Sequence, residues 1–240
     1  MHLQSEASPA DLTHLLDNPA WASLSTYHAH LAVVGDGVRR YPNHLTPIAG
    51  IGRRDQRALD ELAALVPEGD WISLPATLED VAPLVRAPLT VTLNGTLVQM
   101  VCERRVDVRP SGVELCVLSE PDIADMVALT ALTHPGPFRS HTYTLGTYLG
   151  IRVGGVLAAM GGQRMHLPGY REVSAICTHP DFRGRGYART IVARLAAAIF
   201  DEGLTPFLHV QEENSAAQAV YVGLGFAVRA RLPLVVVQRT

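Results

Sequence analysis

Residues 171–192 read REVSAICTHPDFRGRGYARTIV, and the order of residue types along them decides the fold. The first part, through Thr178, is rich in apolar and β-branched residues and predicts a strand; His179-Pro180 ends it, because proline cannot donate to a sheet. Beyond Tyr187 the apolar spacing becomes helical, with Ala188, Ile191, Val192, Leu195 and Ile199 on one face and Arg189 and Arg194 outside it. Gly203 is placed to end that helix. An Arg/Gly-rich turn, Arg183-Gly184-Arg185-Gly186, joins the two elements. A helix head carries unpaired N–H groups and the positive end of the helix dipole. Gly184 and Gly186 let an anion reach that backbone, and Arg183 and Arg185 add charge suited to a diphosphate. A glycine-rich connection in some other α/β protein would look similar. GxxxxGK[ST] is absent, and so is a GxGxxG followed by its acidic partner, so nucleotide hydrolysis and dinucleotide redox chemistry lose ground.

Outward from this segment, the C-terminal half resolves into alternating elements. Val113–Leu118 predicts a strand and Pro121–Leu132 a helix with Ser119 as its cap. Thr133–Thr142 predicts a loop. Residues 147–167 predict two strands joined at Gly154-Gly155, a hairpin turn. After the long helix come a strand PFLHVQ, a helix Ser215–Leu224 and a closing strand over 226–237. The order strand, helix, two strands, strand, helix, strand, helix, strand suits a mixed α/β sheet with helices on both faces.

Two blocks together carry a resemblance. Arg183, Gly186 and Ala188 match the pattern [Q/R]-x-x-G-x-[G/A], and Asn214 to Phe226 (NSAAQAVYVGLGF) matches N-x-x-A-x-x-x-Y-x-x-x-G-F. In this order they resemble the GNAT superfamily of N-acetyltransferases over residues 113–240, in particular a bacterial branch with a second, degenerate GNAT-like N-terminal region. The resemblance implies a mixed, mostly antiparallel sheet flanked by helices, with acetyl-CoA or another acyl-CoA as co-substrate. It implies that Arg183, Gly184, Arg185, Gly186, Tyr187, Ala188 and Arg189 hold the diphosphate. Backbone groups of Ser174 to Thr178 would pair with the pantetheine arm, and those of Ile176, Cys177 and Thr178 would polarise the thioester carbonyl. Asn214 would cap its helix and reach the cofactor.

Acyl transfer to an amine poses two proton problems. An alkyl ammonium with a pKa near ~10 is about one-thousandth nucleophilic at neutral pH, and the departing thiolate benefits from a donor. By resemblance, Glu172, 11 residues before Arg183, is the candidate base; partial burial is expected to raise its pKa. Tyr221 is the candidate acid, on a stripe with Ala217, Val220 and Leu224. A salt-bridged carboxylate and a packing tyrosine are the plainer readings of the same residues. A non-catalytic acyl-CoA sensor is the competing function. His179, His209 and Cys177 receive no chemistry, Cys177 being read as a small buried residue because direct transfer needs no acyl-enzyme.

The N-terminal ~110 residues are harder to read. Strands are expected at Leu31–Val34, Pro47–Ile51, Trp71–Leu74 and Leu97–Cys102, and helices at Ala10–Leu16 and Gln56–Leu65, the latter with Leu59, Leu62 and Ala63 at helical spacing. Gly50-Ile51-Gly52, between a strand and a helix, faintly echoes the phosphate loop. His28 and His30 look like a metal clip only superficially, with no companion ligands at zinc spacing, so no metal is expected. VDVRPSG over 106–112 suggests a boundary, giving a smaller α/β region over 1–110 and an acyltransferase domain over 113–240.

Bulk composition narrows the rest. Twenty Lys and Arg against 23 Asp and Glu give a formal charge of -3, without the basic excess of a nucleic-acid binder. Three widely spaced cysteines suggest reduced thiols. No apolar run nears the roughly 18 residues of a membrane span, and the N-terminus lacks a signal-peptide pattern. A cytoplasmic enzyme acting on a small-molecule or peptide amine is the expectation, with the acceptor contacted by loops at Thr133–Thr142 and Gln163–Gly169. Neither acceptor identity nor oligomeric state is written in the sequence.

Overall fold

The computed structural model describes residues 14–84, 88–105 and 113–239. Of the helix expected at Ala10–Leu16, residues 10–13 lie outside them and Leu15–Asp17 forms a 3-10 turn capped by His14; the boundary expected at 106–112 lies outside them. The N-terminal part opens with α1 (Pro19–Leu24), β1 (Val33–Gly35), β2 (Val38–Arg40) and β3 (Ala49–Ile51); the three strands form a small antiparallel sheet. Helix α2 (Gln56–Leu65) follows with the boundaries its periodicity predicts. Asp55 caps it, accepting from the Ala58 N–H at 2.8 Å, and Ala58, Leu59, Leu62 and Ala63 are buried.

The main sheet has eight strands and draws on both halves of the chain. Its members are β4 (Trp71–Pro75), β5 (Leu89–Val101), β6 (Cys116–Leu118), β7 (Tyr148–Val153), β8 (Val156–Leu167), β9 (Tyr170–Thr178), β10 (Thr205–Gln211) and β11 (Ala227–Arg239), in the order β4-β11-β5-β10-β9-β8-β7-β6. Strand β5 lies between β10 and β11, while β11 runs between β5 and β4. The hydrogen-bonded sheet therefore crosses the division expected near residue 110. Strand β5 also begins well before the expected Leu97, because its first half pairs with β11 despite exposed, polar positions at Thr92 and Asn94.

Helices α3 (Ile123–Thr133), α4 (Tyr187–Asp201) and α5 (Ser215–Val222) complete the C-terminal half. Helix α4 buries Ile191, Val192, Leu195 and Ile199 against Val98, Met100, Val173 and Leu208 of the sheet. Each such side chain contributes roughly 1.5–3 kcal/mol of transfer free energy. Ser119 forms a capping box with Asp122 before α3. The loop expected at Gln163–Gly169 is instead strand to Leu167, with a two-residue turn at 168–169. Its polar Gln163, Arg164 and His166 belong to the ladder because their side chains have buried or half-buried partners.

Gly50 and Gly52 have a packing role, which replaces the phosphate echo. A Cβ on Gly50 would lie 2.4 Å from the Trp21 backbone nitrogen, and one on Gly52 would lie 2.2 Å from the Trp21 ring. Both glycines let α1 sit directly on β3. Gly50→Ala is expected to cost about 1–3 kcal/mol, since helix backbone cannot yield as a flexible side chain would. A lowered midpoint at unchanged slope in urea unfolding checks this.

Candidate active site

Strands β9 and β10 are parallel neighbours but pair only at their beginnings, through Thr205–Tyr170, Pro206–Arg171 and Phe207–Glu172. Beyond Glu172 and Phe207 they splay. Two irregularities on the other side of β9 accompany the fork. Gly161 of β8 faces both Ala175 and Ile176, a bulge on β9 in which Ala175 takes φ 54°. A Cβ on Gly161 would sit 2.2 Å from Ile176 Cδ1, so that glycine makes room for the bulge. Two residues further along, Arg164 and Met165 of β8 together face Glu172.

Glu172 is fully buried at the fork. Arg164 donates to it from Nε and Nη2 at 2.8 and 2.9 Å, a bidentate pair, and His209 Nδ1 lies 2.9 Å from its Oε1. The network extends inward. Gln99 Nε2 donates to the Leu16 carbonyl and lies 3.0 Å from His209 Nε2, while Gln99 Oε1 accepts from Arg229. Since that amide nitrogen can only donate, His209 Nε2 accepts and its Nδ1 carries the proton given to Glu172. The expected rise in the Glu172 pKa is reversed. Burial alone pushes it up, but the Arg164 guanidinium, then His209, hold it down at about 2.

Tyr221 of α5 is 7% exposed and packs beside Leu224 and Phe226, and its ring lines the cleft described below. Burial pushes its phenol up to about 12, so it keeps its proton through the physiological range. Cys177 is buried and its thiol is pushed up to about 11 by the same cause, an environment for an inert thiol. Asn214 caps α5, accepting from the Ala217 N–H at 3.1 Å, and also lines the cleft. Ser174 and Ile176 line it from β9, whereas Thr178 stands half-buried at the strand's end.

The turn after β9 has the expected character. Gly184 (φ 76°) and Gly186 (φ 77°) occupy left-handed backbone that a side chain rarely adopts. Gly186 is the N-cap of the 15-residue α4, and no side chain caps that helix. Its first N–H groups are thus presented outward at the end of β9. Arg183, Arg185 and Arg189 are exposed around it, with the Arg185 guanidinium 5.1 Å above the Phe182 ring. Tyr187 packs half-buried against the core, and Ala188 is half-buried.

A cleft of about 650 Å³ occupies the fork. Its walls come from β9 and β10, from the end of α3 and the loop through Arg139, and from β4 of the N-terminal part. Phe138 and Arg139 reach it, whereas His141 stacks edge-on against His44 elsewhere. His28 and His30 lie at a 3-10 turn, not on a strand, and no metal-holding cluster occurs among the described residues. Sequence reasoning missed Arg164 and left His209 unassigned. A buried arginine eight residues from a glutamate across a tight hairpin is a cross-strand charge pair, a signal present in the sequence.

A splayed parallel pair, a bulge on one member and an open helix head at its end define the GNAT fold. The chain belongs to the GNAT family. A structure from Novosphingobium aromaticivorans assigned to that family of acetyltransferases is 30% identical, covers 95% of this chain and 99% of its own, and superposes with a TM-score of 0.81. A family model described as FR47-like protein matches residues 148–233. The fold recurs in a GCN5-related N-acetyltransferase from Kribbella flavida (17% identity, 92% and 93% coverage, TM-score 0.61). It recurs again in a GCN5-related N-acetyltransferase-like protein from Streptococcus suis (14%, 92% and 94%, 0.60). No curated protein matches the sequence. No helix among the described residues is long and apolar enough to cross a membrane.

Proposed function

We propose that the protein transfers an acyl group, with acetyl as the first candidate, from acyl-CoA to an amine by direct attack through a tetrahedral intermediate. The observation that carries this reading is the alignment of three features along one strand: the fork, the bulge and the uncapped head of α4. The helix head and its arginines suit the CoA diphosphate, and the splayed β9 edge from Ser174 to Thr178 suits the amide-bearing pantetheine arm. The bulge leaves backbone around Ile176 free to donate to a developing oxyanion.

Proton handling follows from the surroundings of these groups. No Asp or Glu among the described lining residues faces a bound ammonium as a base, so its proton passes to water before attack. The amine then attacks the thioester carbon; as the tetrahedral intermediate collapses, the carbon–sulfur bond breaks, the nitrogen gives its surplus proton to water, and the departing sulfur leaves as a thiolate that accepts a hydrogen bond from Tyr221. With the phenol at about 12 against roughly 8.5 for an alkyl thiol, the proton stays mainly with oxygen while it stabilises the leaving charge. Glu172 serves as a positioning residue that orients Arg164 and His209.

Release of free thiol from acetyl-CoA across a panel of amines tests the proposal. Amine-dependent release is expected; tight CoA binding with no release from any acyl-CoA would favour a sensor. Gly186→Val tests the diphosphate cradle separately. Its Cβ meets no protein atom within 4 Å, so the substitution acts on backbone conformation and on ligand approach. CoA affinity, read by calorimetry on the folded variant, is expected to fall about tenfold or more, alongside a melting temperature lowered by a few degrees because valine is strained at φ 77°.

A further inference from the structure

The cleft is built of ion pairs whose two partners stand at different depths. Arg164 lines it, while Glu172, which holds Arg164, is fully buried behind. At the rim Arg139 lines it, while Asp70, 2.9 Å from the Arg139 Nη2, stays outside the lining. Arg139 is further fixed over the Trp71 ring, 5.7 Å from its centroid. In both pairs the cleft meets the cation and not its carboxylate. Among the described residues that line it there is no Asp or Glu.

Arg164 has unspent donors. Glu172 takes Nε and Nη2, and no protein acceptor among the described residues takes Nη1. The bidentate pair also fixes the guanidinium plane, so Nη1 is aimed without further loss of side-chain freedom. The cleft also offers apolar wall, from Ile48, Trp71, Leu97, Phe138 and Met165. A polyamine or other multiply charged cation would meet two guanidinium groups and no counter-charge. A planar carboxylate on an apolar body meets the reverse: free N–H donors and an apolar wall.

We propose that the acceptor is an amine that also carries a carboxylate, of the apolar amino-acid or peptide class, docked with its carboxylate on Arg164 Nη1 and its apolar body against Trp71 and Phe138. This rests on the acyl-transfer reading for the identity of the reaction, but the anion site can be tested without turnover. Calorimetry would compare N-acetyl-phenylalanine, a product analogue, with its uncharged amide. A charge-assisted hydrogen bond predicts about 10- to 100-fold tighter binding of the acid. In turnover, phenylalanine is expected to exceed phenylalanine amide by a similar factor in kcat/KM.

Equal binding of acid and amide, or no binding of the acid, overturns the proposal. Turnover that favours the amide or a diamine overturns it too, and leaves acyl transfer standing. Selective binding of the acid with no turnover of any amine keeps the anion site and removes the transferase reading. The paired variant Arg164→Met with Glu172→Gln removes both buried charges together, which avoids stranding either one. Once its folding is checked by thermal melt, it is expected to lose the preference for the acid; a retained preference places the carboxylate elsewhere and overturns the assignment.

Discussion

Glu172→Gln is expected to lower stability by about 3–5 kcal/mol, a large part of what holds a domain folded. The substitution is nearly isosteric, so the loss comes from charge. It strands a guanidinium that the native fold buries with two hydrogen bonds to this carboxylate, and it weakens the acceptor for His209 Nδ1. The same interaction has a pH signature. The folded-state pKa is near 2 and the ordinary value is 4.5, so the carboxylate's contribution is present above about 4.5 and is lost as pH falls toward 2. That shift corresponds to roughly 3 kcal/mol at 1.36 kcal/mol per unit, in line with the mutational estimate. Urea unfolding at several pH values should show wild type losing stability through that window and the variant changing less. A positioning role also predicts that whatever limb the kcat/KM profile shows near neutrality stays in place in the variant. Disappearance of that limb would return Glu172 to the role of base.

The sequence allows a salt-bridged Glu172 but does not name its partners, and the reason is physical. Glu172 sits at the start of a strand, where a carboxylate is ordinarily solvated, and its partners come from the strands on either side, Arg164 on β8 and His209 on β10. Gln99 on β5 closes the network from that side, 110 residues away from His209. No local pattern around Glu172 reports a partner so distant. The C-terminal elements were legible because each rests on local rules: periodicity in α4 and α5, a glycine pair at the β7–β8 turn, and proline after β9. The diphosphate turn was legible for the same reason, since left-handed backbone at Gly184 and Gly186 demands glycine itself. By contrast, β1, β2 and the first half of β5 are short or polar segments whose pairing is decided by non-local contacts. Arg164 looked like part of a variable loop because three polar residues within four positions disguise a strand whose charge is neutralised across the hairpin.

Tyr221→Phe is expected to reduce kcat about 100-fold while leaving CoA affinity within twofold. The ring keeps its packing with Leu224 and Phe226, and among the described residues no hydrogen bond to the protein is lost with the hydroxyl, so the fold should be unaffected. What is lost is a donor that becomes valuable only as charge develops on sulfur, so the effect falls on turnover and not on binding. The pH dependence separates this from a packing role. Because burial holds the phenol near 12, Tyr221 remains a donor throughout the working range and adds no descending limb below about pH 11. The variant should therefore show a uniform drop at every pH, with no change in the shape of the profile. A thioester whose leaving thiol has a lower pKa needs less help, so the deficit should shrink when an activated aryl thioester replaces acetyl-CoA. An undiminished deficit, or a turnover equal to wild type, would take the hydroxyl out of the chemistry and leave the ring as part of the core.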